Sequence, residues 1–215
     1  MESTRIIAIR HGETLWNTQS RIQGHIDIGL NDKGRHQAAL VGQALLGVDI
    51  PIAAIYSSDL QRALRTAEQI AQTTKLPITQ DTRLRERHFG DFEGKTWADI
   101  DRHSPEVSLK WKNRDPFWRP GEGSESLNDL EIRVKGVVQD IASRHLGTQI
   151  VIVSHGGVMD ILYRWATGQD IQSPRTWSIE NAVINRLLWS ANAFSLLSWG
   201  DNAHLDSIPK DDASA

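Results

Sequence analysis

The stretch IIAIRHGETLWN at residues 6–17 begins as an apolar, β-branched run and ends abruptly in Arg10, His11 and Gly12. Such a run predicts a buried β-strand. In open α/β sheets, ligands bind in the crevice beyond the carboxyl ends of the strands. We therefore expect Arg10 and His11 to face a binding crevice, provided that other strands deliver matching groups to the same edge.

The strand-then-helix pattern recurs along the chain. After residues 6–17, NDKGRHQAALVGQALLG predicts a helix capped by Asn31 or Asp32, IAAIYSS precedes DLQRALRTAEQIAQTT, and QIVIVS precedes HGGVMDILYRWATG. A long helix is predicted over SESLNDLEIRVKGVVQDIASRHL. AVINRLLWS and AFSLLSWG predict two edge strands joined by a tight turn at Asn192. This alternation favours an α/β protein whose mostly parallel sheet is covered by helices on both faces.

Length and composition predict one domain over residues 1–204, followed by a polar, disordered tail at 205–215. The net charge of -3 argues against a nucleic-acid or anionic-membrane partner, and no segment approaches the length of a membrane span. The chain has no cysteine, which excludes disulfides, thiolate metal sites and cysteine-dependent phosphatases. We expect a cytoplasmic protein.

Residues 95–123 are predicted to cover something. TWADIDRH predicts a short helix, whereas the rest of this segment mixes aromatic residues with prolines and charges and predicts irregular structure. We expect its aromatic residues Trp111, Phe117 and Trp118, together with Phe92, to form a wall over the active site.

Two further cationic groups are predicted at the same sheet edge. Arg62 lies in the first turn of the helix after IYSSD, and His155 follows IVIVS directly. Taken singly, Arg62 is typical of a solvated helix residue and His155 of a structural histidine. Together with Arg10 and His11, however, they would repel one another unless an anion lay between them.

A phosphate group fits this arrangement, because a phosphomonoester carries about -1.5 to -2 charges and its oxygens match guanidinium forks. Gly12 and Gly156 are expected to let the backbone approach that anion closely. The helix that begins near Gly157 is expected to add its N-terminal dipole there.

The residues at this edge favour a histidine nucleophile. The chain has no cysteine, no P-loop and no H-E-x-x-H motif, so the common alternatives for phosphate chemistry are missing. A neutral imidazole attacks phosphorus, and adjacent arginines keep it neutral. Glu86 is the candidate proton donor for the leaving oxygen. From local sequence alone, a surface carboxylate paired with Arg85 or Arg87 is the commoner role for Glu86.

Five segments together resemble the histidine phosphatase superfamily, whose fold is phosphoglycerate-mutase-like. They are RHGET followed by Trp16 and Asn17, then RIQGHIDIGLNDKGRHQA, SSDLQRALRTAE, LRERHFGDFEG and VIVSHGG, and the resemblance runs from Arg5 to about Trp189. It implies a three-layer α/β/α sandwich with a mixed, mostly parallel sheet.

The resemblance also implies the residue roles. His11 would be the transiently phosphorylated nucleophile and Glu86 the acid and then the base. Arg10, Arg62 and His155 would hold the phosphoryl group. By the same resemblance, Asn17, Gln23 and Gly24 line the pocket, and neither a metal nor a nucleotide cofactor is implied.

The family contains both phosphatases and mutases. ERHFG alone resembles the mutase form, but its continuation DFEG resembles the phosphatase branch, and the basic, tyrosine-containing insertion of the mutases is not evident between Lys95 and Gly123. We therefore expect a phosphomonoesterase that acts on a small phosphorylated metabolite. The alternatives are a 2,3-bisphosphoglycerate-dependent phosphoglycerate mutase and a catalytically inactive phosphate-ligand-binding protein. The two edge strands could support a homodimer.

Overall fold

A computed structural model of the chain describes residues 2–206. In these residues one sheet contains six strands in the order β3-β2-β4-β1-β5-β6. The strands are β1 (Thr4–Arg10), β2 (Ile52–Ser57), β3 (Ile78–Gln80), β4 (Gln149–Ser154), β5 (Ile184–Ser190) and β6 (Ala193–Asp201). The pairs β1–β4, β2–β4 and β2–β3 are parallel, whereas β1–β5 and β5–β6 are antiparallel. The predicted mixed, mostly parallel sheet and its edge hairpin are confirmed.

Helices cover both faces of this sheet. They are α1 (Leu15–Thr18), α2 (Asp32–Ala44), α3 (Gln61–Thr74), α4 (Trp97–His103), α5 (Pro105–Lys112), α6 (Leu127–Ser143) and α7 (Gly156–Thr167). Asn31 caps α2 through its side chain, as predicted. Short 3₁₀ segments lie at Leu45–Gly47, Thr82–Leu84, Gly90–Phe92 and Ala203–Leu205.

The alternation of side chains along β1 explains the three layers. Ile6 and Ala8 pack into one buried cluster with α6 and α7, whereas Ile7 and Ile9 pack into a second cluster with α2 and α3. Successive side chains of a strand point to opposite faces, so a strand with apolar residues at every position must be covered twice. The α/β/α sandwich follows from this burial.

The covering segment differs from the prediction. TWADIDRH forms α4 as expected, but the following residues, predicted to be irregular, form the second helix α5. Pro105 occupies the first turn of α5, where a missing N–H costs nothing because that position has no intrahelical acceptor. The prolines and charged residues that follow Trp111 predict irregular structure, although the residues before them form this helix.

The packed chain extends to the end of the described residues. Leu205 packs against the second buried cluster, while residues 207–215 of the predicted tail lie outside the described residues. Within residues 2–206, no helix combines the length and the apolar character needed to cross a bilayer.

Candidate active site

The order of the strands brings the predicted residues to one edge. β4 lies between β1 and β2, with Arg10 paired to Ser154 and Ser57 paired to Val153. The chain therefore leaves all three strands at the same level, and the residues that follow β1 and β4, His11 and His155, become neighbours. Their ring centroids are 5.2 Å apart.

A small cup at this edge collects most of the predicted site. It measures about 150 Å³. Seven of the eight predicted residues line it, namely Arg10, His11, Asn17, Gln23, Gly24, Arg62 and Glu86. The eighth, His155, does not line the cup and is fully buried. Arg62, the second residue of α3, is also fully buried. It is therefore not the solvent-exposed helix residue that its local sequence alone would indicate.

The hydrogen bond of His11 determines which ring nitrogen is available. Its Nδ1 lies 2.7 Å from the carbonyl oxygen of Gly12. A carbonyl can only accept, so Nδ1 carries the proton and the neutral ring has its lone pair on Nε2. The amide of Asn181, in the loop before β5, donates to the backbone oxygen of His11 at 2.8 Å and fixes the residue further.

His155 is held in the opposite tautomer. Arg62 Nε donates to Nδ1 of His155 at 3.2 Å, so Nδ1 has the lone pair. The other ring nitrogen, Nε2, then donates to the hydroxyl of Ser58 at 2.8 Å. His155 must be neutral to accept from a guanidinium, and it thereby holds Arg62 in place behind the cup.

The electrostatics keep both imidazoles neutral. Burial, with the charges of Arg62 and Arg10 in addition, holds the pKa of His11 well below its ordinary value of 6.5, although the bond to the Gly12 carbonyl acts in the opposite direction. The pKa of His155 is lowered in the same way, mainly by burial and then by Arg62 and His11. Burial also lowers the pKa of Arg62 to about 10, which still leaves it charged at neutral pH.

The loop at residues 23–26 orients the guanidinium of Arg62. Arg62 donates to the carbonyl oxygen of Gly24 at 2.7 Å and to that of Ile26 at 2.9 Å. The Glu93 carboxylate holds this loop by accepting from the amides of His25 at 2.9 Å and Ile26 at 3.2 Å. Gly24 has a positive φ of 51°, and a Cβ there would collide with Glu93 at 1.9 Å. A glycine is therefore required at this position.

Arg10 brings a buried donor to the cup. Its Nη1 donates to the carbonyl oxygen of Ile179, whereas its Nε is buried and has no hydrogen-bond partner among the described residues. An unpaired buried N–H of a cation is costly, and Arg10 thus keeps a cation beside the cup with one donor unsatisfied.

The N-terminus of α7 binds Glu86. The amide of Gly157 lies 3.0 and 3.1 Å from the two carboxylate oxygens of Glu86, and the amide of Arg87 donates to Oε1 at 2.8 Å. The dipole of α7 therefore acts on this carboxylate, and the expectation that it also acts on the phosphate stays a prediction. A Cβ on Gly157 would lie 2.3 Å from Glu86 Oε1, which explains the glycine.

Two other sequence interpretations of this region change. Arg85 pairs with Asp59, and no ion pair joins Glu86 to Arg85 or Arg87 among the described residues. The commoner role that local sequence gave to Glu86 therefore does not apply.

Gly12 was expected to let the backbone approach the anion, but a Cβ on it would lie 2.4 Å from the carbonyl oxygen of Gly34. The glycine is needed because the loop after β1 packs on the first turn of α2.

A larger cavity of about 600 Å³ adjoins the cup. The two share only a wall, formed by Arg10, Glu86 and Phe89. The remaining lining of the larger cavity comes from α5, α6, α7, the loop after α7, and the two connections that contain Arg87 and Arg114. These residues are Arg87, Trp111, Lys112, Arg114, Leu127, Leu130, Gly156, Gly157, Asp160, Pro174, Arg175, Trp177, Ser178 and Ile179. Glu86 thus lies between the small cationic cup and the larger cavity.

The aromatic wall is built differently from the prediction. Trp111 lines the larger cavity as expected, but Phe117 is 73% exposed and lines neither cavity, and Trp118 and Phe92 are not lining residues. Trp97 lines the cup and stacks on Trp111, with ring centroids 4.0 Å apart.

The remaining lining residues of the cup were not predicted. They are Arg21, Ile22, Phe89 and Trp97. Trp97 lies in α4 and Trp111 in α5, 14 residues apart. Because the two tryptophans lie on different helices, their spacing in the sequence does not predict that their rings stack.

Within residues 2–206, no group of three or more His, Asp or Glu side chains is arranged to hold a metal ion.

Comparison with known proteins identifies the family. The sequence model of the histidine phosphatase superfamily (branch 1) matches residues 6–202. Phosphoglycerate mutase-like protein 4 of Arabidopsis thaliana is 38% identical, over 96% of this chain and 89% of the relative. The metal-independent phosphoserine phosphatase of the same plant is 35% identical, over 96% of this chain and 85% of the relative.

A solved structure agrees with the sequence comparison. Bacillus stearothermophilus YhfR superposes with a TM-score of 0.85 at 34% identity, covering 94% of this chain and all of that one. The chain belongs to the histidine phosphatase superfamily, as its five sequence segments predicted.

Proposed function

We propose that this chain is a metal-independent phosphomonoesterase that hydrolyses small phosphorylated metabolites through a phosphohistidine at His11. The position of Glu86 carries the proposal. It stands on the wall between the cationic cup and the larger cavity, together with Arg10. An ester with its phosphate in the cup and its alcohol in the larger cavity has its bridging oxygen at this wall.

The first step transfers the phosphoryl group to the enzyme. Nε2 of His11 has the free lone pair, and it attacks phosphorus as the bond from phosphorus to the bridging oxygen breaks. The protonated form of Glu86 gives its proton to that oxygen, so the alcohol leaves neutral. The bond from Nδ1 to the Gly12 carbonyl stabilises the positive charge that develops on the ring.

The second step hydrolyses the phosphohistidine. Glu86, now a carboxylate, takes a proton from water, and the resulting hydroxide attacks phosphorus while the bond to Nε2 breaks. Inorganic phosphate is released, His11 regains its lone pair and Glu86 regains its proton. The backbone amides of Arg87 and Gly157 hold the carboxyl group in the same place for both steps.

The binding roles follow from the charges and donors of the cup. Arg10 and Arg62 stabilise the equatorial oxygens in the transition state, since fixed cations in a buried site act strongly on developing charge. Asn17, Gln23 and Gly24 also line the cup, and we propose that they contact the phosphate oxygens. His155 lies behind Arg62, and we propose that it contributes by holding that guanidinium.

The names of the relatives support a phosphatase and leave a mutase as the second candidate. One relative is named a metal-independent phosphoserine phosphatase and another phosphoglycerate mutase-like. We would incubate the enzyme with 3-phosphoglycerate, with and without 2,3-bisphosphoglycerate, and separate released phosphate from 2-phosphoglycerate. Phosphate release as the main reaction supports the proposal. Isomerisation that predominates and requires the bisphosphate would establish the mutase.

A binding protein without activity is the remaining alternative. Turnover of 4-nitrophenyl phosphate by the wild type, and its loss in His11→Ala, would exclude that alternative, whereas equal background rates in both would support it. A cytoplasmic location and a homodimer through the β5–β6 hairpin stay predictions.

A further inference from the structure

The main chain of Glu86 lies in a connection without regular structure, between the 3₁₀ segments Thr82–Leu84 and Gly90–Phe92. Two backbone amides hold its carboxyl group, those of Arg87 and Gly157. A side chain is placed accurately only when its own backbone is also fixed. The groups that fix the backbone of this connection therefore determine where the proposed proton donor lies.

Two side chains from distant parts of the chain donate to the carbonyl oxygen of Glu86. Nε2 of His25 lies 2.8 Å from that oxygen, and Nη2 of Arg133 lies 3.2 Å from it. A carbonyl oxygen has two lone pairs and can accept both bonds. The bond from His25 is the shorter, and it comes from the loop at residues 23–26 that orients Arg62.

The ring of His25 is held in the orientation that this bond needs. A carbonyl only accepts, so Nε2 carries the hydrogen, and it does so in the neutral and in the protonated ring. The backbone amide of His25 donates to Glu93 at 2.9 Å, and its ring stacks on that of His88 with centroids 4.7 Å apart. His88 is fixed in turn, because its Nδ1 donates to the carbonyl oxygen of Gly123 at 2.9 Å. The ring of His25 is therefore held against the carbonyl oxygen that it binds.

Arg133, on α6, holds the same connection through other carbonyl groups. Its Nη1 donates to the carbonyl oxygens of Arg83 at 2.7 Å and Arg85 at 2.8 Å. Glu125 accepts from its Nε at 2.6 Å and keeps the guanidinium in place. Arg133 thus joins the connection to α6, whereas His25 joins it to a loop that lines the cup.

We propose that His25 is a positioning residue for Glu86, which it fixes relative to Arg62 through the main-chain carbonyl group. This inference rests on the proposed phosphatase function. Arg62 donates to the carbonyl oxygens of Gly24 and Ile26, the residues on either side of His25. One short loop therefore contacts both the guanidinium that would bind the phosphoryl group and the residue that would protonate the leaving oxygen. Their relative position matters, since a displacement of about 1 Å can slow a reaction roughly 10²-fold.

Asparagine and glutamine at position 25 separate the donor from the rest of the side chain. The amide nitrogen of glutamine can take the place of imidazole Nε2, whereas that of asparagine corresponds to Nδ1 and is too short to reach the carbonyl oxygen of Glu86. Both variants lose the stacking on His88, so a comparison of the two isolates the hydrogen bond. His25→Asn should lose the positioning of Glu86, and His25→Gln should keep it.

The leaving group shows which catalytic residue is affected. Phosphoserine needs the proton of Glu86 much more than 4-nitrophenyl phosphate does, whereas Arg62 would act on the phosphoryl group of both substrates. For His25→Asn, the ratio of kcat/KM for phosphoserine to that for 4-nitrophenyl phosphate should fall by about threefold to tenfold, the range that one hydrogen bond supplies. For His25→Gln, the ratio should stay close to that of the wild type. An equal fall of kcat/KM on both substrates, or the same ratio in the two variants, would overturn the proposal.

His145→Asn is the matched control. Nε2 of His145 lies 2.9 Å from the hydroxyl oxygen of Tyr56, and the two rings are in edge contact. His145 precedes the start of β4, whereas the site lies where β4 ends. The same substitution there removes the same kind of bond and should leave the substrate ratio unchanged. A fall as large as that of His25→Asn would refute a specific role of His25.

Arg133→Lys tests the same carbonyl oxygen without any change to the loop at residues 23–26. One ammonium group cannot replace bonds to three carbonyl oxygens, so the substrate ratio should fall in this variant too. Combined with His25→Asn, it should lower the ratio further than either substitution alone. A double variant whose ratio equals that of Arg133→Lys would show that His25 does not help to position Glu86.

The outcomes separate this inference from the proposed function. If 4-nitrophenyl phosphate is hydrolysed in a His11-dependent manner and His25→Asn leaves the substrate ratio unchanged, only the role of His25 is wrong. If that hydrolysis is absent or does not depend on His11, the proposed function itself has failed.

Discussion

Substitution of Gly157 by alanine should disable Glu86 without unfolding the protein. The new Cβ would lie 2.3 Å from Glu86 Oε1, whereas ordinary contacts begin at 3.4 Å, so the carboxyl group must move by about 1 Å. It would also lose its place on the backbone amide of residue 157. Alanine is the better helix former by about 1 kcal/mol, so α7 itself should remain intact.

The magnitude follows from the role of Glu86 as a proton donor. A displacement of about 1 Å can cost roughly 10²-fold in rate, and general acid catalysis as a whole contributes about 10²–10⁴-fold. We therefore expect kcat/KM for phosphoserine, whose alkoxide leaves poorly, to fall by about 10²-fold. For 4-nitrophenyl phosphate, whose phenolate leaves without a proton, kcat/KM should fall much less.

Gly156→Ala is the matched control for this prediction. Its Cβ would lie 3.6 Å from both Arg10 Nε and Glu86 Oε2, which is ordinary contact. Both variants are assayed for kcat/KM on the two substrates, and thermal unfolding confirms that each is folded. An equal loss on both substrates, or a loss in Gly156→Ala as large as that in Gly157→Ala, would refute the placement of Glu86 at the leaving oxygen.

Three further predictions concern the support of the cup. Glu93→Gln weakens the charged hydrogen bonds that hold the loop at residues 23–26, worth about 1.5–3 kcal/mol each. Loss of one such bond should lower Tm by about 3–12 °C, and an unchanged Tm in a calorimetric scan would contradict that role. Arg62→Lys cannot replace bonds to three separate acceptors, so kcat/KM should fall by about 10²-fold; near-normal steady-state kinetics would count against the guanidinium geometry. Lowering the pH from 7 to 5 should destabilise the fold, because the unfolded chain protonates His11 and His155 below about 6.5 whereas the folded chain resists protonation. Tm measured across this range should fall less in His11→Ala than in the wild type, and an identical fall in both would show that His11 is not held neutral.

The sequence predicted the convergence of the site because each nucleophile or cation is next to a strand end. Arg10 ends β1, His155 follows β4, and Arg62 lies in the first turn of the helix after β2. Parallel strands end at one edge, so short-range pattern was enough to place these three groups together. The resemblance to a family then supplied the roles that position alone left open.

Other parts of the site depend on contacts that no local pattern encodes. Asn181 reaches the backbone of His11 from 170 residues away, and Glu93 holds a loop 67 and 68 residues before it. The reasons for two glycines also lie in distant contacts. A Cβ on Gly12 would lie 2.4 Å from the carbonyl oxygen of Gly34, and a Cβ on Gly157 would lie 2.3 Å from Glu86 Oε1.

Trapping the phosphoenzyme is the most direct test of His11 as the nucleophile. The enzyme is mixed with labelled phosphoserine, quenched in alkaline denaturant, digested and mapped by mass spectrometry. Label should appear on the peptide that contains His11, resist alkali and be lost in acid, and it should be absent from His11→Ala. Turnover of substrate without label on His11, or label on a different residue, would contradict the mechanism.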